Sequence, residues 1–180
     1  MSISIALLRI APLVLSTCVL RFSMDQLLFL WIFLNPRLAR HANAVLPPYL
    51  DIFTTRKSYI LSAFYPVLIA TGLANRFLAE PPLGPHASSS SAAAATWWYD
   101  AGTLLALLHF AFTPGLNRKA RAVIAIPATA KSSKRTGDEK KAAAEMLDWL
   151  HLHAFRSVFV DLPCMFCFAI AVMRCLIRAD

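Results

Sequence analysis

Charge is scarce in this sequence. Only 16% of the 180 residues are charged, whereas 58% are hydrophobic, and the mean hydropathy is +0.56. A soluble domain of this length does not need so much apolar sequence. The composition therefore argues against an ordinary soluble domain and predicts a helical membrane protein.

Cysteine is absent from the hydrophilic parts of the chain. All four cysteines lie in apolar segments, so no extracellular disulfide framework is expected. A basic cluster is also missing ahead of the first apolar block, residues 3–34, which is too long for the core of a signal peptide. The sequence therefore predicts a retained first helix, and it contains no visible internal repeat.

Apolar blocks separated by polar stretches set the predicted architecture. We predict an all-α fold, an integral membrane four-helix bundle with basic cytosolic loops, in which residues 1–180 form a single membrane domain. The predicted spans cover approximately residues 5–34, 58–77, 97–116 and 153–177. From about Lys140 the pattern is helical and amphipathic, and it should run straight into the fourth span.

The basic residues are distributed unevenly between the predicted loops. Loop 35–57 holds four Lys or Arg residues, loop 117–148 holds eight, and the low-complexity loop 79–96, which we expect to be flexible, holds none. Because positive loops remain in the cytosol, loops 35–57 and 117–148 are predicted to be cytosolic. The predicted location is the endoplasmic reticulum or a related endomembrane.

The net charge of +8 indicates the predicted partners. Because the basic residues lie between apolar blocks, membrane lipid is expected to be their partner, and no nucleic acid is expected. Homo-oligomers remain an open alternative.

A group of ionisable residues opens the last span. Trp149, His153 and Arg156 are spaced by four and three and therefore share one helix face. Such groups are costly inside a membrane unless they are paired or hydrated, which makes them functional candidates. Anchoring of the helix in the lipid headgroups remains the alternative.

The first predicted span also holds two ionisable residues, Arg21 and Asp25, spaced by four. They either neutralise each other as an ion pair or form one wall of a polar cavity.

A second polar stripe lies in the third predicted span. His109, Thr113 and Asn117 are spaced by four and are predicted to share a face. A histidine in the middle of a membrane must find a partner, so His109 is either a site residue or a packed, satisfied histidine.

Two local patterns carry a resemblance. Phe112–Arg118 reads FTPGLNR, and Trp149, His153 and Arg156 form a W-x-x-x-H-x-x-R pattern. Together they resemble the anthrone-oxygenase-like family of small four-span membrane proteins, some of which oxidise polyketide anthrones. The resemblance implies a membrane monooxygenase of secondary metabolism that needs no cofactor. It also implies a hydrophobic aromatic small molecule as the substrate.

The chemistry of such an oxidation suggests roles for these residues. Removing a proton from an anthrone-type carbon acid gives an enolate that can react with dioxygen, so the protein must supply a base and an oxyanion partner. We expect no cofactor and no metal, because the histidines do not lie at a recognised ligand spacing. The predicted catalytic residues are His153, Arg156 and His109, and the predicted substrate-binding residues are Asn117, Trp149, Thr113 and Asp25.

Two other functions remain open. The chain could be a non-enzymatic scaffold that holds a soluble biosynthetic partner through its basic loops. Alternatively, Cys164-x-x-Cys167 resembles the motif of vitamin K epoxide reductase-like enzymes and suggests a thiol–quinone redox enzyme. Redox cysteines need exchange partners, which the loops lack, so packing is the expected role of both residues.

The predicted topology can be tested by labelling. Cysteines introduced at Ser89 and Ser132 should react with an impermeant reagent from opposite sides of the membrane, because one lies in the loop without Lys or Arg and the other in the basic loop. Labelling of both positions from the same side would contradict the four-span topology.

Overall fold

Helices account for all regular structure in the described part of the chain. A computed structural model describes residues 3–39, 41–77, 89–126 and 141–176, and the predicted all-α class is confirmed there. The elements are, in chain order, α1 (Ile3–Trp31), a 3-10 turn (Ile32–Leu34), α2 (Pro36–Ala39), α3 (Ala42–Phe77), α4 (Ser89–Ile124), α5 (Lys141–Arg156), a π-helical turn (Ser157–Asp161) and α6 (Leu162–Leu176).

Three helical stretches are long and apolar enough to cross a membrane. They are Ile3–Leu34, Ala42–Phe77 and Lys141–Cys175, among the residues that the structure describes. The predicted third span, residues 97–116, lies inside α4, which is not one of them. The chain is therefore compatible with a membrane protein, while the four-span bundle stays a prediction.

Large apolar side chains face outwards on the long helices, as expected for helices in contact with lipid. In a soluble monomer, so many exposed apolar groups would be a liability. Leu7, Leu28, Ile60, Leu104 and Phe159 are examples, with 43–67% of their surface exposed.

The prediction of a loop over residues 35–57 is wrong for most of its length. α2 lies within it, and α3 begins at Ala42 and continues through Pro47 and Pro48. Each interior proline costs the helix a hydrogen bond. Burial offsets that cost, because Ala42, Leu46 and Leu50, spaced by four, are all fully buried on one face.

The other two predicted loops are shorter than expected. Within loop 117–148, α4 continues to Ile124 because Ala120 and Val123 extend its buried face, and residues 127–140 lie outside the described part. The predicted helical start near Lys140 is confirmed by α5. Within loop 79–96, α4 begins at Ser89, and the predicted flexibility of residues 79–88 lies outside the described residues.

Contacts between Cα atoms group the chain into two compact units. The predicted single membrane domain over residues 1–180 stays a prediction. The first unit comprises Met1–Arg21, Ala63–Phe110 and Val158–Asp180, and the second comprises Phe22–Ser62 and Ala111–Ser157.

In the first unit, a proline in α1 creates a docking point for α3. Pro12 has no N–H, so it cannot donate to the carbonyl of Leu8 one helical turn earlier. The Nδ2 of Asn75 donates to this carbonyl at 2.8 Å. Nearby, the hydroxyl of Tyr99 on α4 donates to the carbonyl of Arg9 at 3.0 Å. These bonds fix α1 against α3 and α4 without charged groups.

Two glycines let helices approach the ring of Phe168 in the same unit. Phe168, on α6, is fully buried. A Cβ at Gly102 would lie 2.9 Å from two ring atoms, and one at Gly72 would lie 3.4 Å from the ring and closer still to the hydroxyl of Thr103. The absence of side chains at both positions is therefore required for this packing.

The second unit has one continuous apolar core. α5 contributes Met146, Trp149 and Leu150, all fully buried, which pack with residues from α1, α3 and α4. The start of α5 is capped by Asn43, whose Oδ1 accepts a hydrogen bond from the N–H of Ala142 at 3.0 Å. This bond satisfies one of the amides that a helix start leaves unpaired.

Gly102→Ala should lower the free energy of unfolding by about 1–3 kcal/mol, because the buried ring of Phe168 cannot move away. Gly115→Ala is the matched control. Its Cβ would meet only the flexible end of Leu152, at 3.2 Å. Helix propensity should then leave its stability unchanged or raised by up to about 1 kcal/mol. Unfolding in detergent measures both, and equal stabilities would contradict the packing described.

Candidate active site

A buried histidine, carboxyl and phenol meet in the first unit. The Nδ1 of His109, on α4, lies 2.8 Å from Oδ1 of Asp161, and the hydroxyl of Tyr65 on α3 contacts the same nitrogen. Exposure of the three residues is 3%, 5% and 1%. Their distances in sequence are large, so only the packing of the helices brings them together.

The backbone before α6 is irregular where Asp161 is placed. A π-helical turn covers Ser157–Asp161, and two residues after its end stands Pro163, which cannot donate to the carbonyl of Phe159. Single π turns inside helices are often found at functional sites, because the wider turn redirects the side chains that follow it. Asp161 is the last residue of this turn.

This arrangement is suited to proton transfer. A carboxylate oxygen accepts, so Nδ1 of His109 donates to Asp161, and the basic lone pair is then on Nε2. An adjacent carboxylate orients the imidazole and stabilises the cation that forms when Nε2 takes a proton. Burying a histidine, a carboxyl and a phenol costs folding free energy, and apolar side chains would fill the same space without that cost.

A second polar centre lies in the second unit and contains three predicted site residues. Trp149, His153 and Arg156 are all at most 3% exposed, so they do not extend into headgroups. The indole of Trp149 stacks on the ring of His153, with centroids 4.6 Å apart. The Nε2 of His153 donates to the carbonyl of Ser23 at 3.2 Å, and Nη2 of Arg156 donates to the Ser23 hydroxyl at 3.1 Å.

The remaining predicted substrate-binding residues are more accessible. Asn117 is exposed and lines a cleft of about 190 Å³ with Thr54, Thr55, Ser58 and Arg121. Thr113 and Asp25 are half-buried. The predicted pocket shared by His109, Asn117, His153 and Arg156 stays a prediction, since His109 belongs to the first unit and the others to the second.

Sequence reasoning missed the partners of the predicted residues. Tyr65, Ser23 and Asp161 are not among the predicted site residues, although Asp161 stands at the head of the last apolar run. An acid within such a run is a usable signal, because it must be paired. Tyr65 and Ser23 carry no comparable signal, because a phenol or a hydroxyl is common in any apolar helix.

The two cysteines of the CxxC motif lie in the packed part of the first unit. Cys164 is 4% exposed and its thiol donates to the carbonyl of Gly102 at 3.2 Å, and both cysteines are free thiols. No group of three or more His, Cys, Asp or Glu side chains is placed to hold a metal ion within the described residues.

Three curated relatives align with nearly the whole chain. The probable epoxidase scpX of Mollisia scopiformis is 29% identical over 178 residues, which are 98% of this chain and 100% of the relative. Epoxidase pydX of an Acremonium species is 28% identical, over 97% of this chain and 98% of its own. Epoxidase gkaX of Penicillium citrinum is 25% identical, over 96% and 97%. The chain thus has full-length homologues named as oxidative enzymes.

No protein-family model and no solved structure matches the chain. None of the three relatives is named an anthrone oxygenase, so that resemblance stays a prediction. What the relatives support is the coarser prediction of an oxygenase-type enzyme.

Cys164 and Cys167 should remain reduced when the purified protein is treated with a soluble quinone, because Cys164 is buried and its thiol is hydrogen-bonded. Differential alkylation and mass spectrometry measure this, with the denatured protein, in which every reduced cysteine alkylates, as the control. A reversible disulfide between Cys164 and Cys167 would favour the thiol–quinone alternative.

Proposed function

We propose that the chain is a membrane-embedded oxygenase of the epoxidase type. It removes a proton from an apolar, electron-rich aromatic substrate, and the resulting anion reacts with dioxygen. The observation that carries the proposal is the buried contact of His109 with Asp161 and Tyr65. Full-length similarity to proteins named epoxidases supports the same class of reaction.

In this proposal His109 is the general base. Asp161 holds its ring and stabilises the imidazolium that forms, and positioned proton transfer of this kind contributes about 10²–10⁴-fold to a rate. The Tyr65 hydroxyl, in contact with the same ring, keeps the histidine in place. The low exposure of all three residues keeps water from competing for the proton.

Residues of the second unit are proposed to handle negative charge. Arg156 stays charged in any environment, and its planar guanidinium suits an oxyanion. His153 is already fixed by Ser23 and by the ring of Trp149, which favours a supporting role in binding. Trp149, Asn117, Thr113 and Asp25 are proposed as substrate-binding residues.

The substrate class that we propose is an anthrone-type or related phenolic compound. Such molecules are flat and apolar, so they dissolve in the bilayer. Their anions are electron-rich enough to give electrons to dioxygen directly. For an anthrone the balance is complete: one anthrone and one dioxygen give one anthraquinone and one water, and the substrate supplies all the electrons.

An epoxide can arise from the same first step. When the anion belongs to a hydroquinone, the oxygen adduct can close onto the neighbouring carbon–carbon double bond. One hydroquinone and one dioxygen then give one epoxyquinone and one water. Proton removal that gives an electron-rich anion with its charge on oxygen is common to both outcomes, and it links the epoxidase names of the relatives to the anthrone chemistry.

The setting that we propose is an endomembrane such as the endoplasmic reticulum. Three helices long and apolar enough to span a membrane support this setting, and exposed apolar side chains on the long helices agree with it. The proposed orientation keeps the basic segments around residues 35–57 and 117–148 in the cytosol.

Asp161→Asn should lower kcat by at least about a hundredfold, because the amide no longer stabilises the protonated ring of His109. Asp148→Asn is the matched control, since Asp148 bonds to Lys119 at 2.9 Å and is largely exposed. The assay follows anthrone oxidation under ¹⁸O₂ by protein in lipid nanodiscs, with mass spectrometry of the product.

Formation of product with one ¹⁸O atom at similar rates by the wild type and by Asp148→Asn, and at least about a hundredfold more slowly by Asp161→Asn, is the expected result. Equal rates for the two variants would remove His109 and Asp161 from the proposed mechanism. Product without the isotope would show that dioxygen is not the source of the oxygen.

A further inference from the structure

Lys57 is a buried cation with no anion beside it. Only 8% of its surface is exposed. Among the residues that the structure describes, no carboxylate lies within ion-pair distance of Nζ and no acceptor is hydrogen-bonded to it. Its contacts are with aromatic rings: Nζ lies 5.4 Å from the ring centroid of Trp149 and 5.8 Å from that of Phe53.

Two aromatic contacts do not balance the burial of an ammonium group. A cation–π contact is worth about 0.5–2 kcal/mol, whereas burying a charge costs several kcal/mol. A lysine on a helix normally avoids this cost by extending its flexible stem until the ammonium reaches water. Lys57 on α3 is instead held over the indole of Trp149, next to the polar centre of the second unit.

The groups around Lys57 add donors and positive charge. Arg156, which is 3% exposed, lies close enough for its charge to repel that of Lys57. The Nε1–H of Trp149, a donor only, is fully buried and has no acceptor within the described residues. An ammonium without an anion and an indole N–H without an acceptor therefore belong to two residues in contact, and the positive charge of Arg156 acts on the same ammonium. An anion would pair with the ammonium, accept from the indole N–H and be attracted by the guanidinium.

We propose that Lys57 and Trp149, under the positive charge of Arg156, form a binding site for a compact oxyanion, a carboxylate or an enolate, carried by an apolar molecule. One negative charge would relieve the repulsion between the two cations and accept the indole hydrogen bond. The half-buried ring of Phe53, 5.8 Å from Nζ, provides apolar surface for the body of the ligand. That this anion is the acidic group of the substrate rests on the proposed function. Binding of an anion at the site can be measured without any reaction.

The experiment compares Lys57→Met with Lys119→Met in nanodiscs of zwitterionic phosphatidylcholine. Methionine keeps the length of the side chain and removes the charge. Lys119 is the matched control because it lies in the same unit and already has its carboxylate, Asp148, at 2.9 Å. The probes are radiolabelled decanoate and its uncharged analogue decanol, measured by equilibrium dialysis with empty nanodiscs as the background.

Decanoate should bind Lys57→Met at least about tenfold more weakly than the wild type, while decanol binding changes less than about twofold. Lys119→Met should match the wild type with both probes. Without ligand, Lys57→Met should also have a higher Tm than the wild type, because an unpaired buried charge has been removed. A lysine with a merely structural role would give a lower Tm instead.

Unchanged decanoate binding by Lys57→Met, or a lower Tm without ligand, would overturn the proposal. A third arm uses nanodiscs containing phosphatidylglycerol. If this lipid raises the Tm only when Lys57 is present, and decanoate is not bound in preference to decanol, the site binds a lipid phosphate and the proposal is overturned.

The variant His109→Ala separates this proposal from the proposed function. Retained decanoate selectivity in this variant supports the anion site even if no oxygenase activity is found.

Discussion

The cost of burying ionisable side chains among apolar helices is the constraint on which the rest of the structure depends. Each such group must be paired inside the protein or by a bound ligand. His109 meets this requirement through Asp161 and Tyr65, and His153 and Arg156 meet it through Ser23. The pairing that makes these groups tolerable also fixes their geometry, and fixed geometry is what proton transfer and oxyanion binding need.

Irregularities in the helices serve this pairing. Pro12 leaves a carbonyl on α1 that Asn75 satisfies, which fixes α1 against α3 without any charge. The π turn ahead of Pro163 ends at Asp161, the carboxylate that holds His109. Close approach at Gly102 lets α4 pack on the ring of Phe168. Packing and hydrogen bonding at these few positions set the arrangement of the first unit.

The sequence predicts the helical class because long apolar runs admit few other structures. It fails over residues 42–57, where Pro47, Pro48 and the basic residues suggested a loop and burial of Leu46 and Leu50 nevertheless maintains a helix. The same error hid Lys57, because a lysine in a loop would face water. Trp149, His153 and Arg156 were predictable as a set, since they share one helix and its period. The contact of His109 with Asp161 was not, because it depends on how distant helices pack.

Deuterium exchange without dioxygen tests the central claim that His109 acts as a base before oxygen reacts. Anthrone is incubated with the protein in nanodiscs in D₂O under argon, and deuterium entering its acidic carbon is followed by mass spectrometry. We predict exchange faster than the background in empty nanodiscs for the wild type, and background exchange for His109→Ala. Exchange in the wild type no faster than background, in a preparation that oxidises anthrone once air is admitted, would contradict the claim.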